Sequence, residues 1–95
     1  MALVNAAYWD NISATPADMT LGEGLYGLTL RATSWDNVVL QRILSNGTLA
    51  VITPQPLTQD SYVAPLYLPA GKYRLVLNNT TGLSGSIERI ALRVN

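Results

Sequence analysis

Leu25 to Thr33 alternates with a period of two. Tyr26, Leu28 and Leu30 fall on one side, and Leu25, Gly27, Thr29 and Arg31 on the other, as in a half-buried β-strand. The same alternation returns at Tyr73, Leu75 and Leu77. Between the two, Thr33 to Asn37 is a turn cluster, Val38 to Leu44 a strand, and Ser45-Asn46-Gly47 the sharpest turn. Asn-Gly between apolar runs predicts a two-residue type I′ hairpin, with Thr48 to Thr53 returning as the partner. Pro54-Gln55-Pro56 stops that strand, because proline has no amide hydrogen to give a ladder. Ser61 to Leu68 is a further strand, which Pro65 confines to a sheet edge. Pro69-Ala70-Gly71 turns into the Tyr73 strand. Ser86 to Val94 closes the chain after a polar turn over residues 78–85. The helical signal is limited to one short turn over Pro16 to Met19, with Thr15 as its cap. Six or seven short strands with frequent turns predict an all-β domain, an antiparallel β-sandwich or small jelly roll.

A seven-residue phrase occurs twice. Gly24-Leu-Tyr-Gly-Leu-Thr-Leu30 and Gly71-Lys-Tyr-Arg-Leu-Val-Leu77 share Gly-x-Tyr-x-Leu-x-Leu at an offset of 47 residues. The match runs on without a gap: Leu21 falls on Leu68, Thr33 on Thr80, Leu40 on Ile87, Arg42 on Arg89 and Ile43 on Ile90. The chain therefore reads as two diverged β-units of about 47 residues within one domain, residues 1–95. Residues 1–20 stand before the repeat as an arm or a first strand. In Leu40-Gln-Arg-Ile43 and Ile87-Glu-Arg-Ile90 the apolar residues sit three apart, which strict alternation would put on opposite faces. A β-bulge at Gln41-Arg42 and at Glu88-Arg89 is expected to return both to the core; the alternative is an arginine laid across an apolar surface.

Composition narrows the function. Six basic and six acidic residues cancel, and the bases are scattered, so nothing marks a nucleic-acid or anionic-membrane partner. No stretch approaches the roughly 18 apolar residues of a membrane helix, and residues 1–9 lack the pattern of a signal peptide. Charged residues make up 13% of the chain against 48% hydrophobic, where about 25% charged is usual. A small domain cannot place all its apolar residues inside. Part of the surface is therefore expected to be covered by other subunits.

The chain has no histidine and no cysteine, which removes the commonest general base and the thiol nucleophile. Gly82-Leu-Ser84-Gly85 is not a nucleophile elbow, and Gly22, Gly24 and Gly27 open a strand rather than a phosphate-cradling helix. The carboxylates lie far apart in sequence. The expectation is a protein that is not an enzyme and that uses no metal or cofactor. What stands out instead are aromatic and apolar residues at element ends. Leu3, Val4, Tyr8, Trp9 and Trp35 are the candidate partner interface, since aromatic side chains are enriched at interface centres. The uncharged segment Met1 to Trp9 is expected to dock on a partner subunit, the alternative being a first strand of the same sheet.

Taken in order, Gly24-x-Tyr-x-Leu-x-Leu, Trp35 with Val38-Val-Leu-Gln41, Asn46-Gly-Thr48, Leu68-Pro-Ala-Gly-Lys-Tyr-Arg74, Gly82-Leu-Ser84 and Ile87-x-Arg-Ile90 resemble small β-sandwich virion proteins of tailed bacteriophages. Some of these are capsid decoration (cement) proteins. The resemblance covers about residues 21–93 and consists largely of strand-and-turn grammar, so it carries over no functional residue. It implies a structural protein of the virion, at the capsid surface, that binds the outer capsid lattice through the major capsid protein or another virion protein. It also implies a homo-oligomer. The other reading of the residues is a carbohydrate-binding β-sandwich module that presents Trp9, Trp35 or a tyrosine as a stacking platform.

Overall fold

The structure, a computed structural model, describes residues 5–47, 49–51 and 56–91. Eight strands run along them: β1 (Ala6–Ile12), β2 (Met19–Leu21), β3 (Gly24–Arg31), β4 (Asn37–Ile43), β5 (Leu49–Val51), β6 (Ser61–Leu68), β7 (Gly71–Asn78) and β8 (Leu83–Ala91). None of the described residues is helical. The strands form two antiparallel sheets of four, in the orders β1-β8-β3-β6 and β2-β7-β4-β5. Strand β1 pairs with β8, β2 with β7, β3 with β6 and β4 with β5. The chain is thus one long hairpin whose tip is the Asn46-Gly47 turn. It rolls up so that β3 also joins β8 and β4 joins β7. This winding is that of a jelly roll.

The 47-residue echo is a relation between the sheets. Leu21 pairs with Gly71 and Met19 with Tyr73 on β2 and β7, while Leu68 pairs with Gly24 and Leu66 with Tyr26 on β6 and β3. Each pair becomes the other on adding or subtracting the offset. The tip of one repeat covers the start of the other in the same reciprocal way. Arg42 lies over Gly71, its Nε 3.2 Å from where a Cβ would stand, and Arg89 lies over Gly24. Arg42 Nη2 donates to the Ala70 carbonyl, and Arg89 Nη1 donates to the Glu23 carbonyl. Glycine at both positions lets the guanidinium stem approach the backbone.

The core lies between the sheets. Leu21, Tyr26, Leu28 and Leu40 are completely buried, and so are their repeat partners Leu68, Tyr73, Leu75 and Ile87. Each such side chain contributes about 1.5–3 kcal/mol by leaving water. The two tyrosines solve one problem identically. Tyr26 Oη donates to the Gly22 carbonyl and Tyr73 Oη to the Pro69 carbonyl, both at 2.6 Å. Tyr26→Phe and Tyr73→Phe are each expected to cost about 1 kcal/mol, since each leaves a carbonyl without its donor. Urea unfolding of the two variants checks this, and near-equal losses are the result that the repeat requires.

Several expectations meet corrections. No bulge occurs at Gln41-Arg42: Asn37 to Ile43 pairs with Asn78 to Lys72 without interruption. Leu40 therefore faces the core and Ile43 the outside, with Arg42 reaching the end of the sandwich. On β8 the irregularity falls one residue later than expected, at Ile90, between Arg89 opposite Tyr26 and Ala91 opposite Leu25. It leaves Ile90 54% exposed rather than returning it to the core. The bulge that does bring residues three apart to one face is on β1, where Trp9 pairs with Gly85 and Ile12 with Leu83. Asn11 sits in it at φ 51°, with its amide capped by Ser84 Oγ at 2.9 Å. The suggested helical turn near Met19 is instead β2, because Met19 and Leu21 are both core residues. β8 begins at Leu83, earlier than expected, because Gly82 at φ 65° completes the turn.

The hairpin pairs as expected over Gln41–Ile43 and Leu49–Val51; Thr48 and Ile52 lie outside the described residues. Its turn differs. The Gly47 amide donates to the Leu44 carbonyl at 2.8 Å, so Ser45 and Asn46 are the central residues and Gly47 alone takes positive φ, at 87°. A Cβ on Gly47 would meet nothing within 4 Å. Gly47→Val is therefore expected to cost only its backbone strain, about 1 kcal/mol, read as a small drop in the urea midpoint.

Polar contacts tie down the loops and give stability a pH dependence. Arg74 forms a forked pair with Asp18 at 2.8 and 3.2 Å. This hydrogen bond holds the Asp18 carboxyl below the usual carboxylate range. Asp60 is held low as well, first by Trp35 Nε1 and then by the Ala32 amide. A depressed carboxyl stabilises above its unfolded-state pKa, about 4, and that stability is lost as pH falls through the folded value. Burial raises the Tyr26 and Tyr73 phenols. Their contribution is complete below about pH 10 and is lost as pH rises through their folded values. Urea midpoints are expected to form a plateau with a shoulder on each side. Asp18→Asn with Asp60→Asn should flatten the acid shoulder alone.

Candidate functional site

The four-stranded sheet β1-β8-β3-β6 has one face on the core and one outside. Alternation along β3 sends Leu25, Gly27, Thr29 and Arg31 outward, and the register carries each across its neighbours. Thr29 lies opposite Ser86 on β8 and Tyr62 on β6, and Ser86 lies opposite Tyr8 on β1. Tyr8, Ser86, Thr29 and Tyr62 thus form one row across all four strands. In the rows beside it Gly27 meets Glu88 and Ala6, and Leu25 meets Tyr67 and Ala91.

Tyr8, Tyr62 and Tyr67 are 69%, 66% and 48% exposed. Of the five large hydrophobic side chains exposed among the described residues, these three stand on this face and Ile90 bulges at its end; Leu44 is elsewhere, beside the hairpin tip. Exposed aromatic side chains gathered on one face of one sheet mark a candidate contact surface.

The polar groups on the face are arranged around the rings. Tyr8 Oη donates to Glu88 Oε2 at 3.2 Å, and Ser86 Oγ donates to Glu88 Oε1 at 3.0 Å. Both oxygens of the central carboxylate are therefore engaged. Tyr67 Oη donates to the Glu23 carboxylate. The hydrogen bond from each of these phenols to its carboxylate raises the phenol above the ordinary tyrosine range, so both remain protonated donors at neutral pH. Tyr62 leans over Gly27, its Oη 3.1 Å from where a Cβ would stand. Among the described residues that hydroxyl has no hydrogen-bond partner. At one end the face opens into a polar cleft of about 440 Å³ lined by Asn11, Arg31, Ala32, Thr33, Gly82 and Ser84. Arg31 is the cation there, 3.8 Å from Asp60 and with its side chain 85% exposed.

The interface residues named from the sequence are distributed unevenly. Tyr8 stands on the outer face. Trp9 turns inward, partly buried against the core, as the odd member of β1 must. Trp35 is also partly buried against the core, and its Nε1 donates to Asp60 at 2.9 Å, which fixes it as a loop brace. Leu3 and Val4 lie outside the described residues. The expectation that Met1 to Trp9 docks as a separate segment is corrected from Ala6 onward: Ala6 to Trp9 is the first part of β1, a strand of the sandwich itself.

Tyr62 and Tyr67 were missed because they lie five positions apart, and strict alternation would place them on opposite faces. The register shift on β6 sets Ala64 and Pro65 against Gly27 alone, and this extra residue brings both tyrosines outward. Pro65 was the available signal, since proline inside a strand marks bulges as well as edges.

The chemistry of this face is stacking, van der Waals contact and hydrogen bonding. Among the described residues no three of His, Cys, Asp and Glu come together as metal ligands. Comparison with protein-family models, with curated proteins and with solved structures finds no match to the chain.

Proposed function

We propose that this is a structural protein of the virion, of the capsid decoration type. It binds a large protein lattice through the outer face of the β1-β8-β3-β6 sheet and does no chemistry. The observation that carries the reading is that Tyr8, Tyr62 and Tyr67 are all exposed on that one face. Tyrosine supplies a large contact area at low entropic cost, with a hydroxyl for orientation. The one carboxylate at the centre already accepts a hydrogen bond at each oxygen, so covering it leaves neither oxygen without a donor. The resemblance of residues 21–93 to phage virion proteins supplies the kind of assembly.

A second reading rests on a specific observation. The row of Tyr8, Ser86, Thr29 and Tyr62 lies beside the cleft of Asn11, Arg31, Thr33 and Ser84, since Arg31 and Ser84 are the next outward pair, and this adjacency of stacking surface and hydrogen-bonding groups suits an oligosaccharide. Jelly rolls serve in both viral capsids and lectins, so the fold does not choose between the two.

The composition of particles tests the first reading. Virus particles grown from a genome encoding this chain, purified and digested for mass spectrometry, are expected to contain it at a fixed ratio to the major capsid protein. Its absence from particles, with retention of the soluble protein on a glycan column, would establish the second reading instead.

A further inference from the structure

The four sheet edges are not alike. β2 is three residues long, and β6 carries Pro65 and a register shift. Both are blunted in the ways natural sheets use to prevent edge-to-edge pairing. β1 is seven residues long and without proline; its own bulge begins only after Trp9, so Ala6 to Trp9 is a regular, uncharged stretch. Among the described residues its one strand partner is β8.

The ladder shows which groups β1 leaves unused. The Arg89 amide donates to the Asn5 carbonyl at 2.9 Å, which makes Asn5–Arg89 a hydrogen-bonded pair. By alternation Ala7–Ile87 and Trp9–Gly85 are hydrogen-bonded too, and Ala6–Glu88 and Tyr8–Ser86 are not. Ala6 and Tyr8 therefore direct their amides and carbonyls away from β8, along the open edge.

We infer that β1 pairs antiparallel with β1 of a second copy, about a two-fold axis through Ala7, joining two four-stranded sheets into one of eight strands. In that register Ala6 of one copy lies opposite Tyr8 of the other, so their outward backbone groups exchange hydrogen bonds. The bulky phenol then meets a methyl group rather than a second phenol. A register centred on Tyr8 would set the two rings against each other. A two-fold pairing of this kind is isologous and closed, so it ends at a dimer.

The pairing also bears on the proposed binding face, although it does not depend on that reading. With strands about 4.8 Å apart and about 3.3 Å per residue, one outer face measures roughly 19 by 26 Å. That is a projected area of roughly 500 Å², modest beside the roughly 800 Å² of accessible surface per partner of a standard protein interface. Two faces made continuous across the β1 edges bring both copies' tyrosines onto one platform of twice that extent.

Sedimentation of the full chain, with no particles present, tests the pairing. The wild type is expected to sediment as a dimer that dissociates on dilution. Ala6→Pro removes an amide that points to the edge and not to β8, and is expected to give a monomer that melts within a few degrees of the wild type. The chain has no cysteine, so Ala7→Cys provides an unambiguous second measurement. The two Cα atoms would lie about 4.5 Å apart across the axis, within disulfide range, and mild oxidation should convert nearly all of the protein to a covalent dimer. Thr29→Cys, far from the axis, should not cross-link. A wild type that stays monomeric at every concentration overturns the inference, as does a folded Ala6→Pro that remains dimeric. Should Ala6→Pro fail to fold, cross-linking of Ala7→Cys no greater than that of Thr29→Cys overturns it alone. Loss of particle binding with the dimer intact would count against the proposed function and leave the pairing standing.

Discussion

Gly85→Ala is expected to lower the melting temperature by more than alanine at Gly24, Gly27, Gly47, Gly71 or Gly82. Gly85 sits on β8 between Leu30 of β3 and Trp9 of β1, in the middle of the outer-face sheet. A Cβ added there would lie 2.0 Å from the Thr29 carbonyl oxygen, 3.0 Å from its carbon and 3.1 Å from the Leu30 Cα. All three are backbone atoms of the neighbouring strand, so no side chain can swing aside. Relief requires β3 and β8 to separate, and these two strands hold the sheet together at its centre. Overpacking of this kind costs about 3 kcal/mol or more, roughly 12–24 °C for a domain of this size. Thermal unfolding followed by circular dichroism measures it. Gly47→Val, with open space around it, serves as the mild control. A Gly85→Ala protein that melts within a few degrees of the wild type would show that the central pairing is looser than its register indicates.

Tyr62→Ala combined with Tyr8→Ala is expected to abolish attachment to the lattice while the domain stays folded. Both side chains project from edge strands onto the outer face and contribute little to the core between the sheets. Aromatic hot spots of an interface cost 2 kcal/mol or more on truncation, a loss of about 30-fold in affinity for each at 1.4 kcal/mol per tenfold. Leu44→Ala, an exposed apolar residue away from the face, should leave binding unchanged. Binding of the double variant and of Leu44→Ala to particles, with melting curves as the check on folding, separates the face from general hydrophobicity. Equal losses from the two would remove the special role of the face.

How far the sequence discloses this molecule depends on the kind of signal. The alternation over Tyr26-Leu28-Leu30 and Tyr73-Leu75-Leu77 specified the core and the fold class, because a period of two is the direct consequence of strand geometry. The 47-residue echo was legible and has a physical meaning in the structure, with each repeat supplying strands to both sheets. Bulges were not placed correctly. A residue spacing of three can be met by a bulge, as at Trp9 and Ile12, or by apolar residues on opposite faces, as at Leu40 and Ile43, and the sequence is the same in kind. The outer face was hidden for the same reason: Tyr62 and Tyr67 share a side only through the irregularity at Pro65. Tryptophan drew attention by its size, yet Trp9 and Trp35 are core-edge residues, while the exposed aromatic surface is made of tyrosine.

The most direct measurement is binding of the purified chain to particles stripped of it, at low salt and again at molar salt. A neutral, aromatic interface holds its affinity when Coulomb attraction is screened, whereas one built on ion pairs weakens steeply. The expected result is saturable binding that changes little with salt and disappears with Tyr62→Ala and Tyr8→Ala. Release of the folded chain by salt, or binding that is indifferent to both tyrosines, would contradict attachment through this face.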